Sequence, residues 1–306
     1  MKFIPDTIDF SEYAKNPVDA DRILSPREFL DGVKESFQNK GLTGEKLPWS
    51  KTHNHVRLRE NELSIWAGTN GSGKSMLLSM VVIDLVRQGK TCCIASMEMP
   101  PISTLHRLTI QAVGLSNPTP EFVEKAINWS GESLWIYNQP DTVQVERMKG
   151  VIRYCREELG VEHFVLDSLM KCGISPDDYG SQKTFVDWLA TYARSSGLHI
   201  HLVCHSRKLQ NENQLIDKFD IKGASEITDL ADNVFTIWRN KPKEHALSQG
   251  LPWETGSLHK GQFYCDVLLK CDKARHGVWE GGIKLFFDKK SLQYRGGENE
   301  PARNYV

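Results

Sequence analysis

An excess of charge of either sign is missing: 38 Lys and Arg stand against 39 Asp and Glu, a formal net charge of −1. Charge balance alone therefore gives no support for a nucleic-acid or membrane partner. Paired cysteine motifs are missing too. Cys92, Cys93, Cys155, Cys172, Cys204, Cys265 and Cys271 are odd in number and form no CxxC. That excludes a small disulfide scaffold and points to reduced, mostly buried thiols in a cytoplasmic protein. Long apolar runs are scarce. The longest, 76–86, is broken by Ser79 and Asp84, too short to cross a bilayer. Residues 1–10 carry two acids and no apolar stretch, which argues against a secretory signal. Repeats and low-complexity segments are absent. What remains is an ordinary globular composition over 306 residues, 40% hydrophobic and 25% charged, long enough for one large domain or two.

The first 60 residues hold few apolar runs and read as an arm. Within it, Ser25, Pro26 and Glu28 form a helix start: a hydroxyl cap, proline in the first turn, and glutamate at its third position. Phe29, Leu30, Val33 and Phe37 follow at helical spacing, so a linker helix is expected over about 26–40. Its stripe packs on its own domain or docks on a neighbouring subunit. From residue 61 to 306 the rhythm alternates. Strands are expected at 63–67, 91–96, 134–137, 163–166 and 199–204, with helices at 72–88, 101–113, 119–130, 143–159 and 182–195. Short strands separated by helices imply an α/β fold with a mostly parallel, twisted sheet covered on both faces. The last strands, at 233–238, 263–270 and 283–287, lack helices between them and should extend the sheet, partly antiparallel.

Gly68-Thr69-Asn70-Gly71-Ser72-Gly73-Lys74-Ser75 fits GxxxxGK[ST] between an expected strand and helix. Glycines let the backbone curl, so that successive N–H groups face phosphates at a helix N-terminus. Lys74 should reach the β- and γ-phosphates of ATP or another NTP, and the Ser75 hydroxyl should ligate Mg²⁺. A second acidic element follows: His163-Phe164-Val165-Leu166 ends in Asp167, the Walker B pattern, which would hold Mg²⁺ beside Ser75. The next residue is Ser168, where many motor ATPases place their water-activating glutamate. Hydrolysis still needs a carboxylate to polarise water. Glu98, in Ser96-Met97-Glu98-Met99 just beyond the second expected strand, is the best candidate, because the carboxyl ends of parallel strands converge on the ligand crevice. His199, His201 and His205 have no cysteine or acid at a spacing that would complete a zinc site.

A P-loop, a glutamate after the next strand and a bare Walker B aspartate resemble the RecA-like ATPases. Finer motifs are similar to one branch of these, the DnaB-type replicative helicases, including Twinkle and phage primase-helicases. Ser96-Met97-Glu98-Met99 resembles that family's S-x-E-M segment. Residues 199–208 resemble its sensor strand, with His205 at the γ-phosphate sensor. Lys222-Gly223-Ala224-Ser225 to Asp232-Asn233-Val234 resembles its following turn, helix and strand. Lys273-Ala274-Arg275-His276-Gly277 fits KxRxG, with Lys270 and Asp272 offering a less suitable register. The resemblance covers about residues 47–287.

It implies a RecA-like P-loop NTPase with catalytic roles for Lys74, Glu98, His205, Lys273 and Arg275, the last two acting on the neighbouring subunit's nucleotide. It also implies a homo-oligomer, a hexameric ring, that translocates on single-stranded DNA threaded through a central channel. The DNA would be touched by loops at 171–181 and 208–222, and primase or other replication proteins would be partners. The alternative is a RecA-type DNA-dependent ATPase acting as a filament. No primase segment precedes Gly68, so the chain is expected to be either a stand-alone helicase or the motor part of a longer polypeptide.

Overall fold

A computed structural model describes residues 2–3, 9, 11–14, 25–38, 42–139, 141–207, 214–251, 253, 264–277 and 279–306. In chain order the elements are β1 (Lys2–Phe3), α1 (Ser11–Ala14), α2 (Leu30–Gln38), β2 (Leu63–Gly68), α3 (Lys74–Arg87), β3 (Cys92–Ser96), α4 (Pro101–Val113), α5 (Pro120–Ser130), β4 (Leu134–Ile136) and α6 (Val145–Glu157). Then come β5 (His163–Asp167), α7 (Tyr179–Ser196), β6 (His199–His205), α8 (Ala224–Leu230), β7 (Asn233–Arg239), α9 (Lys241–Ser248), β8 (Val267–Ala274), β9 (Gly281–Asp288) and β10 (Gln293–Arg295). The described strands form one ten-stranded sheet in the order β1-β4-β3-β5-β6-β2-β7-β8-β9-β10. Every pairing from β1 to β7 is parallel, and the pairings among β7, β8, β9 and β10 are antiparallel. The sheet is thus mostly parallel with antiparallel C-terminal strands, as the alternation of elements implies.

Strands β2, β3 and β5 are buried at every position, because helices cover both faces. The two-residue strand period sends neighbours to opposite cores. Ile65, Phe164 and Ile200 pack with Val151 and Ile152 of α6 and Phe185 and Leu189 of α7. Trp66, Val165 and Val203 pack with Leu77, Val81 and Leu85 of α3, Leu108 of α4, and Leu269 and Leu285 of the antiparallel strands.

One expected strand is displaced. The strand expected over 263–270 runs from Val267 to Ala274, set by its pairing with β7, where Arg239 faces Val267. Aromatic and apolar residues from 263 to 265 mimic the alternation, but only the β7 partner decides where pairing begins. The arm, expected to reach residue 60, joins the body earlier. Leu47, Trp49, Val56 and Leu58 are buried in the α3-side core, and Trp49 Nε1 donates to the Tyr294 carbonyl at 2.7 Å. Irregularly spaced apolar residues carry no period, so their burial shows only in three dimensions.

The expected cap of the linker helix is present. Ser25 Oγ accepts from the Arg27 N–H, and Glu28 Oε1 accepts from the Ser25 N–H at 3.0 Å. The first turn is a 3₁₀ turn over Pro26–Phe29, and α2 continues to Gln38; residues 39–41 lie outside the described residues. Phe29, Leu30, Val33 and Phe37 are all exposed, Phe37 at 79%. Further upstream the chain does return to the body: β1 pairs with β4, and Tyr13 of α1 donates to Glu158 Oε1 at 3.2 Å.

Three histidines sit wholly inside the sheet. Trp66 Nε1 donates to His201 Nδ1 at 3.2 Å. Nε2 of His201 therefore carries the hydrogen and donates to His163 Nδ1 at 3.2 Å. Nε2 of His163 in turn faces Glu45 Oε2 at 3.5 Å. His199 Nδ1 faces the Arg59 carbonyl and its Nε2 faces Ser64 Oγ at 2.9 Å. The histidines are thus satisfied as neutral rings, and among the described residues no cluster of three metal-ligating side chains occurs.

Burial holds the His199 pKa down at about 3 and that of His201 well below its ordinary value of 6.5. The unfolded chain therefore binds protons that the folded one refuses below about pH 6.5, and stability falls as pH drops from there toward 3. We expect a loss on the order of 1 kcal/mol per pH unit per histidine, read from urea melts at pH 7 and 5. His199→Gln should flatten the slope. A denaturation midpoint that does not move between those pH values would rule this out.

Candidate active site

The carboxyl ends of β2, β3, β5 and β6 meet where the chain leaves β2 for α3. Gly71 and Gly73 take left-handed conformations, φ 73° and 90°, which side chains disfavour. A Cβ on Gly73 would also collide with the Tyr294 hydroxyl. Lys74 is only 6% exposed, and its Nζ donates to the carbonyls of Gly68 and Thr69 at 3.0 Å each. Burial lowers its pKa, opposed by the charges of Asp167 and Glu98. Asp167 closes β5 at 4% exposure. Burial raises its pKa, while a hydrogen bond from Ser75 works the other way.

These residues suit a nucleotide and Mg²⁺. The P-loop curls at the N-terminus of α3, and Ser72 Oγ and Ser96 Oγ are buried with no hydrogen-bond partner. Ser75 and Asp167 supply hard oxygen donors, too few for a cage of protein alone but enough for Mg²⁺ shared with phosphates.

Around this cradle four strand ends are tied together by side chains. Ser96 and Asp167 are register partners, and the Met97 N–H donates to the Asp167 carbonyl at 2.9 Å. Glu98 is thereby carried over the end of β5. Its Oε1 accepts from Ser168 Oγ at 3.0 Å and lies 3.6 Å from His205 Nε2. On its other side, His205 Nδ1 lies 2.7 Å from Asn70 Oδ1 of the P-loop. His205, burial notwithstanding, and then Ser168 hold the Glu98 pKa down at about 2, so the carboxylate stays ionised at neutral pH. Of the residues singled out in the sequence, the P-loop, Asp167, Glu98 and His205 come together.

Lys273 and Arg275 do not join them. Lys273 Nζ donates to the carbonyls of Thr228 and Asp229 at 2.8 and 3.0 Å, and Arg275 Nη2 to that of Asp229 at 3.0 Å. Arg275 also pairs with the buried Asp232 at 2.9 Å. Both residues sit near the end of α8, beside the start of β7, where Val234 pairs with Lys273. Val234 is in turn in register with Ile65, and the P-loop leaves the opposite end of β2, beyond Gly68, about 10 Å further along the strand at ~3.3 Å per residue. Neither side chain reaches its own chain's phosphate cradle.

The expected 171–181 loop is shorter than its sequence suggests. A 3₁₀ turn spans Leu169–Lys171, and α7 already starts at Tyr179, capped by Asp178. In the 208–222 loop, 208–213 lie outside the described residues. Lys218–Asp220 forms a turn that carries the exposed Phe219.

Two arginines near the cradle escaped the sequence reading. Arg107 follows the buried Thr104 and precedes the buried Leu108 and Gln111 on α4. Its Nη1 donates to Met99 Sδ at 3.2 Å, while its Nε is buried without a partner. Burial lowers its pKa, opposed by the charges of Asp167 and Tyr294. A cation interrupting an apolar helical stripe soon after Glu98 was a readable signal. Arg239, at the end of β7, donates through Nη1 to the Gly71 carbonyl at 3.0 Å, its orientation fixed by a forked pair with Glu244 at 2.7 and 2.8 Å. Only the β2–β7 pairing reveals it.

Residues 49–211, more than half of the chain, match the family described as AAA domain. One solved ATPase domain superposes with a TM-score of 0.75 at 15% sequence identity, covering 90% of this chain and 100% of that one. A DnaB-like replicative helicase, solved in a study of its interactions with primase, gives a TM-score of 0.70 at 15% identity. It covers 90% of this chain and 67% of that one. The chain has the RecA-like P-loop fold of these two structures, and it belongs to the AAA domain family.

Proposed function

We propose that the chain is an ATP-driven DNA helicase motor, a ring that translocates on single-stranded DNA and serves DNA replication. The observation that carries this reading is Glu98, held over the P-loop beside Asp167 and in contact with His205. Lys74 binds the β- and γ-phosphates, and Glu98 accepts a proton from the attacking water. Mg²⁺, held by Ser75 and Asp167, would offset charge on the phosphates. His205, between Glu98 and Asn70, senses the γ-phosphate and passes its loss to the chain after β6. Lys273 and Arg275, at the far end of the sheet, complete the nucleotide site of the next subunit, so the active unit is an oligomer, a hexamer in this reading. Arg207, Lys218 and Lys222 lie along the segment after β6, interleaved with Asp217 and Asp220. Repeated around a channel, they would line it for the DNA backbone. Primase or other replication proteins are the partners this role calls for.

The test is ATP hydrolysis with and without single-stranded DNA, alongside unwinding of a forked duplex. DNA-stimulated hydrolysis with unwinding supports the motor. Stimulation with strand exchange and no unwinding would make the chain a filament-forming ATPase. Lys74→Ala should bind nucleotide weakly and lose hydrolysis by at least about a hundredfold, because preorganised charge at the phosphates is a large share of catalysis. Near-parental turnover in that variant would remove the P-loop from the mechanism.

A further inference from the structure

We infer that Ser168 is a positioning residue for Glu98: its hydroxyl fixes one carboxylate oxygen so that the other faces the water that attacks the γ-phosphate. The inference rests on the reading of Glu98 as the base and deepens it.

Ser168 stands directly after Asp167, the position where many motor ATPases carry the catalytic acid itself. Here that position carries a hydrogen-bond donor aimed at an acid from the neighbouring strand. Ser168 is completely buried, so its hydroxyl has no water to turn to. Its bond to Glu98 Oε1, 3.0 Å long, is charge-assisted and directional. Any other placing of the Glu98 carboxylate leaves that donor unmade in the interior. His205 Nε2 approaches the same oxygen, Oε1. Both contacts therefore hold one oxygen and leave Oε2 as the one able to take a proton.

The Ser168 backbone is itself held. Its carbonyl accepts from the Lys171 N–H at 3.0 Å and faces Cys172 Sγ at 3.7 Å. Leu169 and Cys172 are buried in the core on either side of the exposed Met170. The serine is thus anchored at the root of the turn that follows β5 and cannot drift with the exposed part of it. No local pattern signals this contact, because Glu98 and Ser168 are 70 residues apart and meet only through the pairing of β3 with β5.

The experiment is a double-mutant cycle on the full chain: parent, Ser168→Ala, Glu98→Gln and the pair, each assayed by single-turnover hydrolysis of labelled ATP and by binding of a fluorescent ATP analogue. Ser168→Ala should lose kcat by roughly tenfold, the size of one lost hydrogen bond to a charged group, with nucleotide affinity and KM unchanged. In the Glu98→Gln background the same substitution should have no further effect, since the carboxylate it positions is gone. A tenfold loss in both backgrounds would mean a merely structural role and overturn the inference. So would a Ser168→Ala rate equal to the parent's beside an inactive Glu98→Gln, which leaves the base assignment standing. A fully active Glu98→Gln would instead remove the base assignment, and the role of Ser168 with it.

Discussion

Glu98→Gln should bind nucleotide as the parent does and hydrolyse it roughly 10²- to 10⁴-fold more slowly, the usual worth of a positioned general base. The amide keeps the shape of the carboxylate and can still accept from Ser168 Oγ at Oε1, so the tie at 3.0 Å survives. What disappears is the capacity to take a proton. The effect should be large because, among the described residues, no other acid is placed to substitute. Asp167 is buried and engaged by Ser75, and the position after it is Ser168 rather than glutamate. His205 lies beside Glu98 at 3.6 Å, but its Nδ1 is turned to Asn70. Single-turnover hydrolysis with a matched binding curve checks the result. A variant that turns over like the parent would place the catalytic carboxylate elsewhere.

The second large effect is expected at Arg275. On the proposed reading, Arg275→Ala should hydrolyse ATP on the order of a thousandfold more slowly in the assembled state, the usual worth of an arginine finger. Each chain should still bind nucleotide, since its own P-loop lies at the other end of β2. A structural contribution must be separated first. Arg275 pairs with the buried Asp232 at 2.9 Å and donates to the Asp229 carbonyl, so removing it also loosens the end of α8. Asp232 keeps the Leu63 N–H at 2.9 Å and has Arg194 at 3.9 Å, which limits that cost. Arg275→Lys keeps a cation near Asp232 without the planar fork, and it should fold normally while remaining slow.

Mixing Arg275→Ala with Lys74→Ala then provides the decisive measurement. Each is inactive alone for a different reason, and in a mixed assembly some interfaces pair an intact P-loop with an intact arginine. Recovery of ATPase activity on mixing is the expected result. Full activity of Arg275→Ala alone would show that no finger operates from this position.

Much of the fold was legible along the chain because its signals are local. Alternating strands and helices announced the parallel sheet, and Ser25 with Glu28 announced the start of the linker helix. The β3 end, the β5 end and the P-loop could be read because each is a short motif in which neighbours in sequence are neighbours in space. Less legible were elements too short to carry a period, β1 and α1, and the scattered apolar residues from Leu47 to Leu58 that proved to be core.

The chemistry of the phosphate cradle is written in contiguous residues: Gly68 to Ser75 form a glycine-rich turn that lets the backbone curl around phosphates, followed by a helix whose N-terminus faces anions. Those statements need nothing beyond the sequence. The strand order β3-β5-β6-β2-β7 is a different matter. It set Ser168 against Glu98, Asn70 against His205, and Arg239 against Gly71, joining residues that lie 70, 135 and 168 positions apart. It also gave the buried His163, His199 and His201 hydrogen-bond partners from neighbouring strands and loops, with His201 between Trp66 and His163 and His199 between Arg59 and Ser64, and it carried Lys273 and Arg275 to the end of the sheet away from their own P-loop. Side chains distant in sequence meet only when strands pair side by side, and pairing is decided by burial across the whole sheet rather than by any segment of it.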